Sequence, residues 1–297
     1  MKKLIGLSAG LIVLISSGSA MVAQDSPVLG MAPPKVLIIE REFVKPGKSG
    51  AMHEKSESAF VNAVTAAKWP THYFAAASLS GKPRVLFMFG YPTFEAWEKD
   101  NHDMAKNAVL SAAIDRASVA DGELLTEYTQ SVFSYEPDLS LHTEGGIVHS
   151  RYFEISQYHV KPGHRAEFLE LVKLYLKGYE KIPTANWATY GSYYGEDNGG
   201  LYLAISKMTS LAEDDASMGD DKKFSDAMGP EGMKKVRELT AASVESQQTN
   251  LFEFNPKMSY PPDEWIKADA FWKPKTAMSA AVKKPAAPVA PAAPSAP

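Results

Sequence analysis

Three glutamates and a histidine are the residues of this chain best placed to move a proton. Glu40 and Glu42 lie in the run Val36 to Val44, and Glu154 and His159 in the run Tyr152 to Val160. Both runs are rich in apolar and β-branched residues and read as strands, whose alternation sorts side chains onto two faces. Leu37, Ile39, Arg41 and Phe43 oppose Ile38, Glu40 and Glu42; Phe153, Ile155, Gln157 and His159 oppose Glu154, Ser156 and Tyr158. The more apolar sets are expected to pack on helices, and the polar sets to point into the interior between two sheets. Enclosure there raises a carboxyl pKa, making Glu40, Glu42 and Glu154 candidate general bases. Pairing with Arg41 or Arg151 near a rim would make them structural instead.

A second group of residues suits binding. With the two hairpins set side by side without gaps from Thr71/Asn186 to Leu86/Leu201, the later copy gains Trp187 for His72, Tyr190 for Ala75, Tyr193 for Ser78 and Tyr194 for Leu79. Nearby, Tyr158 replaces Glu42 and His159 replaces Phe43. Rings with a polar handle suit a cavity wall that orients an organic ligand, so Tyr158, His159, Trp187 and Tyr190 are the expected ligand-binding residues. The alternative is that these rings fill the second core and His159 is a satisfied strand-end histidine.

Other chemistries find less support. Cysteine is absent, which excludes disulfides, thiolate metal sites and a cysteine nucleophile. His53, His102, His142, His149 and His164 read as helix-surface or loop residues. We read no His-x-x-x-His, no paired histidine–carboxylate spacing and hence no metal site. The glycine-rich stretch Gly195 to Gly200 joins two strands and precedes no helix, so it is a turn and not a phosphate cradle. No serine sits in a nucleophile elbow. His53 could supply an axial histidine for haem, though its repeat partner Leu169 shows only that this helix face is partly apolar. No cofactor is expected. A net charge of −4 without a basic stripe gives no footprint for nucleic acid.

The elements that must position these residues are written twice. Val44-Lys45-Pro46-Gly47-Lys48 returns as Val160-Lys161-Pro162-Gly163-His164, each closing a strand and opening a helix. In the first copy Ser49 is the expected cap, and Met52, Ala59, Phe60, Ala63 and Ala67 the apolar helix face. A hairpin follows, then a helical region ending near Tyr128, then a strand from Gln130 to Tyr135. The second copy repeats this order: a helix from Arg165 to Glu180 with Phe168, Leu169, Val172, Leu176 and Tyr179 inward, a hairpin, helices started by Ser210 and Glu213 and broken at Gly229-Pro230, and a strand from Asn250 to Phe254. The offset between copies is 116 residues at the glycines and 119 at the closing prolines Pro137 and Pro256. Each unit is β-α-β-β-α-β, the split βαβ order of the ferredoxin-like fold. One such sheet leaves a face bare, and the second copy is the obvious cover. The expected fold class is therefore α+β, two tandem ferredoxin-like repeats closing an intrachain α/β-barrel.

The Val-Lys-Pro-Gly strand end, the split order and the tandem copies resemble the dimeric α/β-barrel superfamily, including NIPSNAP-like proteins and antibiotic-biosynthesis monooxygenases. Ser210-Leu211-Ala212-Glu213 and Asn250-Leu251-Phe252-Glu253-Phe254-Asn255-Pro256 resemble a group of uncharacterised secreted bacterial proteins. The likeness runs from about Pro34 to Ser259. It implies the fold; the superfamily holds cofactor-free oxygenases, haem-handling enzymes, isomerases and proteins without a known reaction, so it implies no single activity.

The two ends differ from this body. Lys2 and Lys3, the apolar run Leu4 to Ser16 and the small residues after it read as a bacterial export signal over 1–23, cleaved between Ala20 and Ala23. The expected location is periplasmic or secreted, with no membrane span after cleavage. The repeats occupy 34–140 and 150–260. An arm over 261–284, with Trp265, Phe271 and Trp272, should pack across the body, and the Ala/Pro-rich tail over 285–297 cannot bury a core. That tail could serve a cell-wall partner, and the chain could form a homo-oligomer. Two functions compete: an exported protein that binds a small, partly apolar ligand without catalysis, and a cofactor-independent monooxygenase-like enzyme, with haem binding a lesser third.

Overall fold

Strands come first, because they carry the site. The computed structural model describes residues 32–195 and 200–273; the stretch 1–23 read as an export signal, most of the Gly195 to Gly200 turn and the Ala/Pro-rich stretch lie outside them. Strand β1 (Val36–Val44) leads through the Pro46-Gly47 turn into α1 (Ala51–Ala67), and β2 (Tyr73–Ser78) and β3 (Val85–Tyr91) form a hairpin. Helices α2 (Phe94–Lys106) and α3 (Ala108–Gly122) follow, then β4 (Leu125–Tyr135). The second half repeats this order: β5 (Tyr152–Val160), α4 (Arg165–Tyr179), β6 (Ala188–Tyr194), β7 (Leu201–Met208), α5 (Ala212–Ser217), α6 (Asp220–Ser243) and β8 (Val244–Phe254). A short helix α7 (Asp263–Ala268) and a 3-10 turn (Ala270–Trp272) end the described chain.

All eight strands pair antiparallel in the cyclic order β1-β3-β2-β8-β5-β7-β6-β4. Each half contributes four adjacent strands, and the β2–β8 and β4–β6 ladders seal them into a barrel. Closure removes every free edge. Among the described residues no helix is long and apolar enough to cross a membrane.

The faces are the reverse of the sequence expectation. Leu37, Ile39, Phe153 and Ile155 point into the barrel, with Phe74, Leu86, Met88, Phe133, Leu203, Phe252 and Phe254. Glu40, Glu42, Glu154 and Tyr158 face the helices instead. The physical reason is closure itself: a barrel enclosed on all sides is the driest space in the molecule, so the apolar faces fill it. The helix side takes the more polar set, part of it along the open cleft of the second half and part of it buried against α1 and α3 in the first. Only toward one end does the interior turn polar, where Arg41, Arg84 and Gln157 line a small space. There Arg84 donates to Asn250 Oδ1 at 2.6 Å and lies over the Phe252 ring.

Matching the halves ladder by ladder also corrects the hairpin alignment. Glu40 pairs with Phe87 and Phe87 with Ala75; at the same places, Ser156 pairs with Ala204 and Ala204 with Thr189. Ala75 therefore corresponds to Thr189, Ala76 to Tyr190 and Tyr73 to Trp187. The three extra residues of the second half fall in the β6–β7 turn, where a gap-free comparison could not place them.

Local details follow from the same packing. Gly50, at φ 70°, takes the cap position given to Ser49. Helix α3 ends at Gly122, and β4 starts at Leu125, earlier than read. At Gly229 (φ 65°) and Pro230 the long α6 kinks as expected. The expected capping box on Ser210 does not form: the cap position of α5 falls at Leu211, and Glu213 reaches back to accept from the Thr209 N–H at 2.8 Å instead.

The arm does more than lie across the body. Trp265 and Trp272 join the interior cluster and stop one end of the barrel. Asp269 ties the arm down: Arg151 donates to it at 2.6 Å, His149 stands at 3.1 Å, and the Phe271 N–H donates at 2.9 Å. Burial opposes its charge, but these donors outweigh it and hold the carboxyl down at about 2, against 3.8 in an unfolded chain. A depressed pKa gives stability that is present above the unfolded value and lost as pH falls through the folded one. Asp269→Asn should thus cost about 1–2 kcal/mol at pH 7, allowing for partial solvent screening. That difference should close between about pH 4 and pH 2 in urea unfolding curves. A gap that persists at pH 2 would mean the charge is not what anchors the arm.

Candidate functional site

Between sheet and helices the halves differ. In the second half this layer opens into a cleft of about 420 Å³, within the range of small-ligand sites. Its floor is the helix-facing side of β5, β6 and β7: Glu154, Ser156, Tyr158, Thr189, Tyr202 and Ala204. Tyr175 and Tyr179 of α4 form the opposite wall, with Trp187 at the start of β6. Helical spacing explains the pair, because residues four apart share a face. Both tyrosine rings stack on Phe224 of α6, and Tyr179 meets Trp187 edge-on at 5.9 Å.

The polar handles of these rings are held. Tyr202 Oη accepts from Arg165 Nε at 2.8 Å, Trp187 Nε1 donates to the Leu139 carbonyl at 2.9 Å, and Tyr179 Oη donates to Asp221 at 3.2 Å. Burial and the neighbouring Tyr175 push the Tyr158 hydroxyl up to about 12, so it stays protonated.

Five carboxylates line the cleft, Glu154, Glu213, Asp214, Asp220 and Asp221, against the single lysine Lys207. Lys207 donates to the Glu144 carbonyl, and Asp220 is tied by Lys223 and Thr184. Burial raises the Glu154 pKa, and the nearby charge of Asp214 adds to it. Asp214 is itself raised by burial and by Asp215 and Glu213. The cleft lining carries an excess of acidic groups.

Of the four expected binding residues, Tyr158 and Trp187 line this cleft. Tyr190 does not. It is buried in the barrel core beside Tyr135 and borders a cavity of about 90 Å³ at the arm end. An apolar cavity that takes up benzene is nearer 150 Å³, so this one is too small for an organic ligand. His159 falls on the interior-facing parity of β5, pairing with Leu201 and Ser246 at the opposite end of the barrel. The four therefore do not converge. Tyr193 and Tyr194 are exposed and pack against Phe94, the first tilted and the second edge-on.

In the first half the same layer buries a charged cluster. His53, read as a surface histidine, is 1% exposed. Its Nε2 lies 2.9 Å from Glu42 Oε2, 3.6 Å from Asp121 Oδ1 and 3.7 Å from Glu57 Oε1. Strand β1 supplies Glu42, one face of α1 supplies His53 and Glu57, and the last turn of α3 supplies Asp121. The inward stripe of α1 is His53, Glu57 and Val64, whereas Met52 is exposed. Apolar periodicity missed it because two of its three members are polar. The spacing was legible all the same, since His53 and Glu57 are one helical turn apart. Beside the cluster, burial raises Glu40 to about 7, opposed by a hydrogen bond from Tyr128. The three candidate bases are thus split, Glu40 and Glu42 in the first half and Glu154 in the cleft.

No family model matches the sequence, and no curated protein matches it. Solved structures of similar arrangement include a proposed monooxygenase from Fusobacterium nucleatum, 13% identical over 74% of this chain and 91% of that one, TM-score 0.48. An anthrone oxidase-like protein is 13% identical over 77% and 94%, TM-score 0.49. The chlorite dismutase of Candidatus Nitrospira defluvii is 11% identical over 79% and 95%, TM-score 0.42. At such identities and scores, these likenesses carry no argument about chemistry.

Proposed function

We propose that this is an exported binding protein for a small organic ligand with an aromatic or apolar body and a positively charged group, held in the cleft of the second half. We read the chain as a tandem ferredoxin-like member of the dimeric α/β-barrel superfamily whose two copies have diverged in role. One observation carries the binding reading: a single 420 Å³ space sets Tyr158, Tyr175, Tyr179 and Trp187 beside Glu154 and Asp214. Rings attract a cation through their faces, and the carboxylates add charge to that attraction. A second reading, cofactor-independent oxygenation of the bound ligand, draws on Glu154, whose raised pKa inside the cleft suits a general base.

Calorimetric titration with tryptamine and indole-3-acetate tests the charge, because their indole bodies match and their charges are opposite. Tryptamine should bind at least about tenfold tighter, a difference of about 1.4 kcal/mol. Asp214→Asn should shrink that preference, and Trp187→Ala should weaken both ligands. Equal affinities, or a preference for the acetate, would sink the reading. Native mass spectrometry of the purified chain reads the mature N-terminus and any co-purified ligand together.

A further inference from the structure

The buried cluster of the first half does not touch the cleft, and the binding reading makes no use of it. Four potential ligand atoms, one each from Glu42, His53, Glu57 and Asp121, lie within 4.8 Å of one another, and all four residues are buried. The side chains of Glu57 and Asp121 are 4% and 2% exposed. Glu57 Oε1 and Asp121 Oδ1 are buried with no hydrogen-bond partner. Both stand 3.6–3.7 Å from His53 Nε2, so they face the centre of the group. Buried acceptors left without a donor are costly, and here two are aimed at one point.

Charge argues the same way. Three carboxylates against one imidazole leave the group negative even with His53 protonated, and such an excess is not sustained in a dry layer. Asp121 sits in the last turn of α3, where the helix dipole disfavours an anion. At the place of Glu42 the second half holds Tyr158, so the fold does not require the cluster.

We propose that Glu42, His53, Glu57 and Asp121 form a binding site for one first-row divalent cation, of the zinc(II) or manganese(II) kind. One imidazole nitrogen with three carboxylate oxygens is a donor set such ions accept, at about 2.0–2.2 Å per bond for zinc. Tetrahedral ligands at that radius stand about 3.3 Å apart; the three spacings to His53 Nε2, 2.9, 3.6 and 3.7 Å, lie within a few tenths of an ångström of that, and the remaining pairs, all within 4.8 Å, would draw in around the ion. The site shares no residue with the cleft, so loss of ligand binding there would leave this proposal intact.

The test uses the full chain, produced with added zinc or manganese and purified without chelator, with metal counted by mass spectrometry. The chain is then stripped with EDTA and reloaded with either chloride salt. The expected result is close to one ion per chain and a melting temperature that falls on stripping and returns on reloading. Glu57→Gln keeps the shape and removes a charge that the empty site must neutralise. It should fold, judged by circular dichroism, yet hold either ion at least tenfold more weakly; His53→Gln should do the same. Less than a tenth of an ion per chain, both as purified and after reloading, would overturn the proposal and leave a proton-sharing structural cluster. So would full retention of the ion by both variants.

Discussion

Replacing Trp272 with alanine should destabilise the protein by about 3–5 kcal/mol, the range for truncating a fully buried tryptophan. Its side chain is fully buried at the arm end of the barrel. It donates from Nε1 to the Val148 carbonyl at 2.7 Å and packs edge-on against Trp265, Phe271 and Phe254. Truncation both opens a cavity and leaves the Val148 carbonyl without its donor, and the two costs add. Whole domains are stable by only about 5–15 kcal/mol, so the variant should sit near the edge of folding. A melting point lower by roughly 8–15 °C would accompany that loss in a chain of this size. Urea unfolding followed by tryptophan fluorescence and circular dichroism measures it. A cost below about 1 kcal/mol would mean that the arm is an appendage and the barrel closes without it.

Which features the sequence could show, and which it could not, divides along a physical line. Strand β1 was read as Val36 to Val44 and β5 as Tyr152 to Val160, and both stand so in the structure. Alternation and turn chemistry are local, and these strands carry both. Facing is not local. Alternation separates Glu40 and Glu42 from Leu37 and Ile39, yet it does not say which set looks inward, and the expectation gave the interior of the closed barrel to the polar set. Once the β2–β8 and β4–β6 ladders form, the interior takes the apolar set. The ring-rich second half was legible as a difference, and two of its residues, Tyr158 and Trp187, do line the cleft. Tyr190 was misplaced because a three-residue turn insertion shifts the register, and one residue of shift moves a side chain through the sheet.

The cluster around His53 was hidden for another reason. Its members come from β1, α1 and α3, and only His53 and Glu57 are near in sequence. Tertiary contact creates the rest. The two halves thus use one layer in two ways: the first buries a carboxylate-rich cluster around His53 in it, and the second opens it into a cleft lined with rings. That contrast motivates both proposals and ties each to its own half.

The cleft rests on a glycine, and substituting it should show how tightly wall and core are joined. Gly178 is buried on α4, and a Cβ built there would meet Phe224 ring carbons at 2.3–2.4 Å and Met228 Sδ at 3.2 Å. Real contacts do not come so close, so Gly178→Ala must move Phe224 or push α6 away from α4. Alanine is the better helix former by about 1 kcal/mol, which works against the damage. Overpacking of this kind nonetheless costs about 1–3 kcal/mol, and a ring wedged between two helices belongs at the upper end. Because Phe224 is the ring on which Tyr175 and Tyr179 stack, its displacement reshapes the cleft wall. The expected result is a stability loss of about 2 kcal/mol together with weaker tryptamine binding. Gly122→Ala is the matched control: a Cβ there meets nothing within 4 Å, so that variant should be neutral or gain up to about 1 kcal/mol, with affinity unchanged. If Gly178→Ala were as stable as the parent and bound tryptamine equally, the contact between α4 and α6 would be looser than described, and the cleft wall would not depend on it.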